Sequence, residues 1–501
     1  MPWLEDIQYA LEAWIVFALI FCLLPKLIFP EGPGRGVLLR FFGRFARMVL
    51  LTTAGVSILS FFHILNALTL AGFYGLLLLM WASRIGISRF REWILGAIGK
   101  AEEWYKRQGW KTAFQFKRQL IISPKAANSI PVLVAWTIVV LLVAEMRFWW
   151  PLHDLRFAYP DAYNQLLNVR ELLHETGVFS RPTVLTACLG VVTSLGAVDA
   201  MQTIRFLSPF LDILLAIGGG VAMATIFRNN WVGAFTAFIF GCYSQRSIVS
   251  EGTVGFFFLL LGCGLLADCF YYSHRASLYD SACSFALFAF SLPEAFAREI
   301  VLPLFLICVL GLIAQLLRRS APGRRLDAVV PSILMIGIFV IVPPTYPSPH
   351  FVEYDATARQ SLRIASTLPE MRWTIVAPAE QFSETFGRGH YLDLAEFVSY
   401  YGNRVSDSNF RFPYQTVFVF VEKHPFQYFA NEPTAVSFAT LTDPTYRNYR
   451  SPAGRSSLEL ATAKLCSDYA NRHPSQVYYE DDELRIYEFN RNTFARGGAT
   501  Q

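Results

Sequence analysis

Charge is scarce in this chain. Only 16% of its 501 residues are Asp, Glu, Lys or Arg, and 54% are hydrophobic. Soluble domains carry about 25% charged residues, so the composition excludes a wholly soluble protein and leaves room for one soluble domain beside a membrane part. A disulfide framework is missing too. Seven of the eight cysteines lie in apolar runs, Cys466 stands alone in the polar part, and no CxxC pair exists to hold a metal. There is no Gly-rich phosphate loop, no GxSxG elbow and no internal repeat. The first residues, MPWLEDIQYALEAW, are acidic and no cleavage site follows the first apolar run, which argues against a secretory signal peptide. The net charge of +5 is spread over several loops. It therefore speaks to topology and not to nucleic acid.

What is present is a series of long apolar runs. A helix needs about 20 mostly apolar residues to cross a bilayer. Three N-terminal candidates fall at 11–29, 48–64 and 66–83, and a fourth at 129–150 ends in the aromatic belt MRFWW. Arg35, Arg40, Arg44 and Arg47 crowd residues 31–47, and residues 84–128 hold ten Lys or Arg against three Glu. The positive-inside rule makes both loops cytoplasmic, and the N-terminus outside. Within the second, residues 90–110 read as an amphipathic surface helix or a solvated one. Six further apolar segments follow, at 182–199, 204–227, 231–245, 254–272, 282–297 and 300–317, before the basic stretch LRRSAPGRR at 317–325.

Six crossings from outside would leave that basic stretch outside. One segment must therefore fail to cross. The best candidate is 182–199, PTVLTACLGVVTSLGAVD, which is short, starts at a proline and is rich in Gly, Thr and Ser. Such a segment is tolerated where protein covers its backbone. The alternative is 282–297. A last span at 328–344 then delivers the C-terminal part outside. The expected fold is a polytopic α-helical membrane protein of about ten spans: a three-span unit at 1–83, a basic loop at 84–128, seven spans within 129–344 with an outer loop at 151–203, an extracytoplasmic α/β domain at 345–490 and a disordered tail at 491–501. Its setting would be a bacterial-type plasma (inner) membrane. After the Pro-rich linker 343–350, helices are expected at 353–368, 391–402 and 456–474, and strands at RWTIVAP, QTVFVFVEK, QVYYE and LRIYEF.

Polar groups near the bilayer are the candidates for chemistry. Glu145, Asp212 and Asp268 fall within spans, where an acid costs roughly 2.5–3.5 kcal/mol on insertion scales and so meets a partner. Arg147 is the expected partner of Glu145. Arg205 stands one helical stretch from Asp212, which either pairs with it or lines a cavity. Outside the spans, Asp161 starts the helix-like DAYNQLLNVRELLHETG, and Glu251 precedes the span at 254. Either acid can be a plain helix-start residue. With 182–199 not crossing, both face the same side. Two carboxylates there can hold one divalent cation, Mg2+ or Mn2+, which would neutralise a phosphate leaving group. Arg205 and Arg246, at the outer ends of their spans, suit a phosphate. His153, Asp154 and His174 share the first outer loop.

The order of these features resembles the C-type glycosyltransferase superfamily (GT-C), and within it the oligosaccharyltransferase catalytic subunits. That family places a D-x-Y acid and a surface helix after an outward span, as in PDAYNQLLNVREL here. It then places a part-buried stretch, a span, a short turn, a span and a second acidic motif, as in residues 205–252, where Glu251 takes the acid's place. The family's WWDxG signature is absent, and the comparable place reads RWTIVAPAEQ. The resemblance implies transfer of a sugar from a polyprenyl-phosphate-linked donor to an outer-face acceptor: a lipid-linked glycan, a surface polymer or a protein. It makes Asp161 a metal ligand or base, Glu251 a second ligand, and Arg205 or Arg246 the grip on the donor phosphate. The rival reading is a non-catalytic scaffold of an envelope assembly on the same bundle. A transporter is a weaker third, because no pair of broken spans recurs in matching halves.

Overall fold

The computed structural model describes residues 2–29, 36–85, 130–157, 160–174, 182–243, 251–272, 275–291, 326–341, 354–368, 373–378, 386, 391–407, 409–424, 452–473 and 475–490. The surface helix expected at 90–110, the span at 300–317, the linker at 343–350 and the tail at 491–501 lie outside them. The chain forms two compact units. One comprises Met1–His153 and Asn164–Pro347, the other Asp154–Tyr163 and Ser348–Gln501.

The first unit is helical. Its elements are α1 (Pro2–Phe17), a π-turn at Ala18–Leu23, α2 (Leu24–Ile28), α3 (Val37–Phe61), α4 (Ala67–Ile85), α5 (Ile130–His153), α6 (Pro160–His174, whose first residues belong to the second unit), α7 (Val184–Gly196), α8 (Ala200–Phe227), α9 (Asn230–Tyr243), α10 (Glu251–Tyr272), α11 (Arg275–Phe290) and α12 (Leu326–Ile341). Among the described residues five helices are long and apolar enough to cross a membrane: Ile7–Ile28, Val37–Phe61, Pro131–His153, Ala200–Phe227 and Glu251–Tyr271. The widened turn before α2 sits where Pro25 lacks the N–H that a regular turn would use. At about 1.5 Å per residue, the 13 residues of α7 extend about 20 Å, short of the roughly 30 Å hydrocarbon core.

Two boundaries differ from expectation. The basic loop at 31–47 is largely helix: α3 begins at Val37 and carries Arg40, Arg44 and Arg47 in its opening turns. Arg47 explains why the helix keeps its basic residues. Its Nε donates to Asp280 of α11, and its guanidinium lies 5.3 Å from the Phe29 ring centroid. Gly43 leaves the room, since a Cβ there would stand 2.5 Å from Asp280 Oδ2. The contact joins the basic stretch to α11. Asp268, the other acid of this hairpin, accepts from Ser277 Oγ.

Helix α8 is the hub, with 67% of its most apolar window buried. Small residues let its backbone approach its neighbours, as is usual between helices in lipid. A Cβ on Gly220 would fall 2.6 Å from the Gly233 carbonyl of α9 and 2.6 Å from Trp136 of α5. A Cβ on Gly264 of α10 would fall 2.8 Å from Ala222 Cα. On the other flank, Trp14 of α1 donates its indole N–H to the Phe206 carbonyl at 3.0 Å and packs on Phe148 and Phe210.

The second unit is an α/β domain with a five-stranded sheet. Its elements are α13 (Asp355–Thr367), β1 (Trp373–Ala377), β2 (Tyr391–Asp393), α14 (Leu394–Tyr401), β3 (Thr416–Glu422), α15 (Pro452–Ala470), β4 (Ser475–Glu480) and β5 (Leu484–Asn490). The strand order is β2-β1-β3-β5-β4, parallel across β2-β1-β3 and antiparallel from β3 to β4. Period-two alternation explains why β3 is apolar throughout. Val417, Val419 and Val421 meet Phe397 of α14 and Leu465 of α15, whereas Phe418 and Phe420 face Ile364 of α13. The helix expected at 391–402 is split. Asp393 takes an extended conformation, ends β2 and caps α14 by accepting from the Ala395 N–H at 2.7 Å.

Residues 154–157 and 160–163 form a strap that belongs to this unit. Arg156, buried, grips both oxygens of Asp154 at 3.1 Å and also reaches Asp355 at the start of α13.

Replacing Gly220 by Leu should overpack the α8–α9 crossing and cost about 1–3 kcal/mol. Gly75→Leu, with nothing within 4 Å of its Cβ position, should stay within about 0.5 kcal/mol of wild type. Thermal unfolding of the purified protein in micelles compares them. Equal melting would refute the close crossing.

Candidate functional site

The N-terminus of α7 raises the sharpest physical problem in the membrane unit. A helix start leaves four backbone N–H groups without intrahelical partners, and in a lipid setting water cannot serve them. Two side chains answer. Thr183 is the N-cap, extended, with Oγ1 accepting from the Thr186 N–H at 3.3 Å. Glu251 reaches across from α10, and its Oε1 accepts from the Leu185 N–H at 2.7 Å and the Thr186 N–H at 3.4 Å. Glu251 is also the first residue of α10. Two positive helix ends thus meet one buried carboxylate, a favourable place for its charge.

Glu251 is thus the helix-start acid that one reading of the sequence expects. It also caps a second helix across 66 residues of chain, which neither reading expects. Its Oε1 is committed to backbone amides. No step below is routed through a metal. Among the described residues no cluster of three or more His, Cys, Asp or Glu forms.

The remaining candidates are scattered. Asp161 lies in the first turn of α6, within the second unit. Its side chain, that of His174 and all of Arg246 lie outside the described residues. Arg205 is buried on α8, with its guanidinium over the Phe206 ring at 4.9 Å and Nη1 3.5 Å from Gln202 Oε1. Asp212 is met by Arg147, at 3.6 Å, rather than by Arg205. Arg147 also donates from Nε to the Gly241 carbonyl at 3.0 Å, so it ties α5 to both α8 and α9. Glu145, its expected partner, is on an exposed face. His153 is exposed, stacked on Trp149 with ring centroids 4.0 Å apart and Nδ1 2.6 Å from the Trp149 carbonyl. Asp154 is held by Arg156.

One polar cluster went unnoticed in the sequence. Glu422 at the end of β3 and Arg455 and Glu459 on α15 are all buried. Arg455 grips Glu422 in bidentate fashion, Nε to Oε2 at 2.9 Å and Nη2 to Oε1 at 2.5 Å. Glu459 Oε2 accepts from the Glu422 N–H at 3.1 Å. The only trace in the sequence is a glutamate closing an otherwise apolar strand.

A mostly helical chain with five described helices of membrane-crossing length and a small five-stranded sheet is compatible with a helical membrane protein. No protein-family model, curated protein or solved structure matches the chain.

Glu251→Ala should strand the Leu185 and Thr186 amides and lose about 1–3 kcal/mol, seen as a lower melting point in micelles. Glu251→Gln keeps a carbonyl acceptor and should lose less than half of that. If the two variants melt alike, the cap does not carry the start of α7.

Proposed function

We propose that the chain is a membrane glycosyltransferase of the GT-C type. It would pass a sugar from a polyprenyl-phosphate-linked donor to an acceptor on the extracytoplasmic face, either a lipid-linked glycan, a surface polymer or a protein. The observation that carries this reading is α7. A helix of 13 residues, capped by a distant acid, falls at the point in the chain where the resemblance calls for a part-buried stretch between the surface helix and the next span. The strap adds support. Residues 154–163 and the chain after 348 belong to one unit, which suits an outer loop and a C-terminal domain on a common side.

In this reading Asp161 is the base that takes the proton from the acceptor hydroxyl or amide as it attacks the sugar, and Arg205 holds the donor phosphate. Glu251 is the second acid of this reading, and its Oε1 also fixes the start of α7. A second reading, a non-catalytic subunit of an envelope assembly, draws on a different observation. Glu251, Asp212 and Asp154 are all engaged in internal contacts, as a scaffold would need.

Asp161→Ala separates the two readings. A glycosyltransferase loses its envelope glycan, by at least about 100-fold for a missing general base, while the protein stays at wild-type abundance in the membrane. An unchanged glycan profile at normal abundance would leave the scaffold reading standing alone.

A further inference from the structure

The second unit places two buried carboxyl groups against one guanidinium. Glu422 and Glu459 are each 3% exposed and Arg455 1%. Both oxygens of Glu422 are taken by Arg455. Glu459 has Oε2 on the Glu422 N–H, while its Oε1 is buried with no hydrogen-bond partner. One positive charge balances one carboxylate, so a second buried negative charge would stand uncompensated. Among the described residues, Lys423 follows Glu422 in the chain but is spent on Glu480 at 2.8 Å. Cys466 lies on the same helix and feels Glu459, and Tyr354 before α13 feels both glutamates and Glu483. From α14, which packs on α15, come Glu396 and Asp393, the latter spent on its own cap.

We propose that Glu422, Arg455 and Glu459 form a proton-gated switch in the second unit, closed while Glu459 carries a proton and opened when it gives that proton up. Burial, then the charge of Glu422, pushes the Glu459 carboxyl well above the usual carboxylate range. The folded unit therefore binds this proton more tightly than the unfolded chain does. Its stability is full below the ordinary carboxylate range and falls as pH rises through the raised value. The loosened place is the end of β3. There the His424 carbonyl accepts from the Tyr354 hydroxyl at 2.8 Å, and the next residue, Asp355, receives the strap's Arg156. Opening would therefore slacken the strap that leads into the helix of Asp161. The switch itself does not rest on the glycosyltransferase reading.

Cys466 is a built-in reporter, fully buried and adjacent to the cluster. The full-length protein in micelles is pulsed with N-ethylmaleimide across a pH series that starts just above the ordinary carboxylate range and runs into mild alkali. Modification of Cys466 is read by peptide mass. Dividing by the rate in Glu459→Gln at each pH cancels the thiol's own ionisation. The ratio should rise about tenfold across the range, one pKa unit of opening. Glu422→Gln provides a second reference, because Arg455 then balances Glu459 alone and the pH dependence should vanish. If both variants track the wild type at every pH, the switch is overturned.

Discussion

A carboxylate at a helix start organises the membrane unit. Glu251 accepts two amide protons at the beginning of α7, and that contact keeps the start of a 13-residue helix from stranding its backbone. The energetic argument is one of avoided cost. An unmet buried N–H loses about 1–3 kcal/mol, more than a surface ion pair usually returns. Because Glu251 also begins α10, the same group fixes where that helix enters. Movement of one helix start is felt at the other.

The unit around it is held by close approach. Gly220, Gly233 and Gly264 stand where any side chain would collide with a neighbouring backbone, so α8 packs tightly with α9 and α10. Charges inside the bundle are spent pairwise: Arg147 with Asp212, Arg47 with Asp280. Such pairs add little net stability over apolar packing, yet removing one partner is costly. They therefore specify which helices meet. The second unit uses the same device at the end of β3, where Arg455 pairs with Glu422 and Glu459 stands beside the pair.

How much of this could be read from the sequence depended on range. The long apolar runs and the shortness of 182–199 were legible because hydropathy and length are local properties. So were the strands of QTVFVFVEK and LRIYEF, whose alternation belongs to their own residues. The start of α3 was not, because its Arg47 is held by Asp280, far along the chain. The Asp212 partner was missed for the same reason: Arg147 is 65 positions away, whereas Arg205 was the near candidate. Glu251 was singled out correctly as unusual, but its task could not be read, since a helix start on another segment leaves no mark beside it. The Glu422–Arg455–Glu459 cluster was invisible, being split between a strand and a helix.

The central claim is that α7 does not cross, so that α8 is the first crossing after the outer loop. It is tested most directly by labelling intact cells and inverted vesicles with a membrane-impermeant maleimide. Cysteine is placed singly in a cysteine-free background at the exposed positions Glu171 and Arg228. The account predicts that Glu171→Cys and Arg228→Cys react from opposite sides. Reaction of Glu171→Cys and Arg228→Cys from a common side would mean that α7 and α8 both cross, and would contradict it.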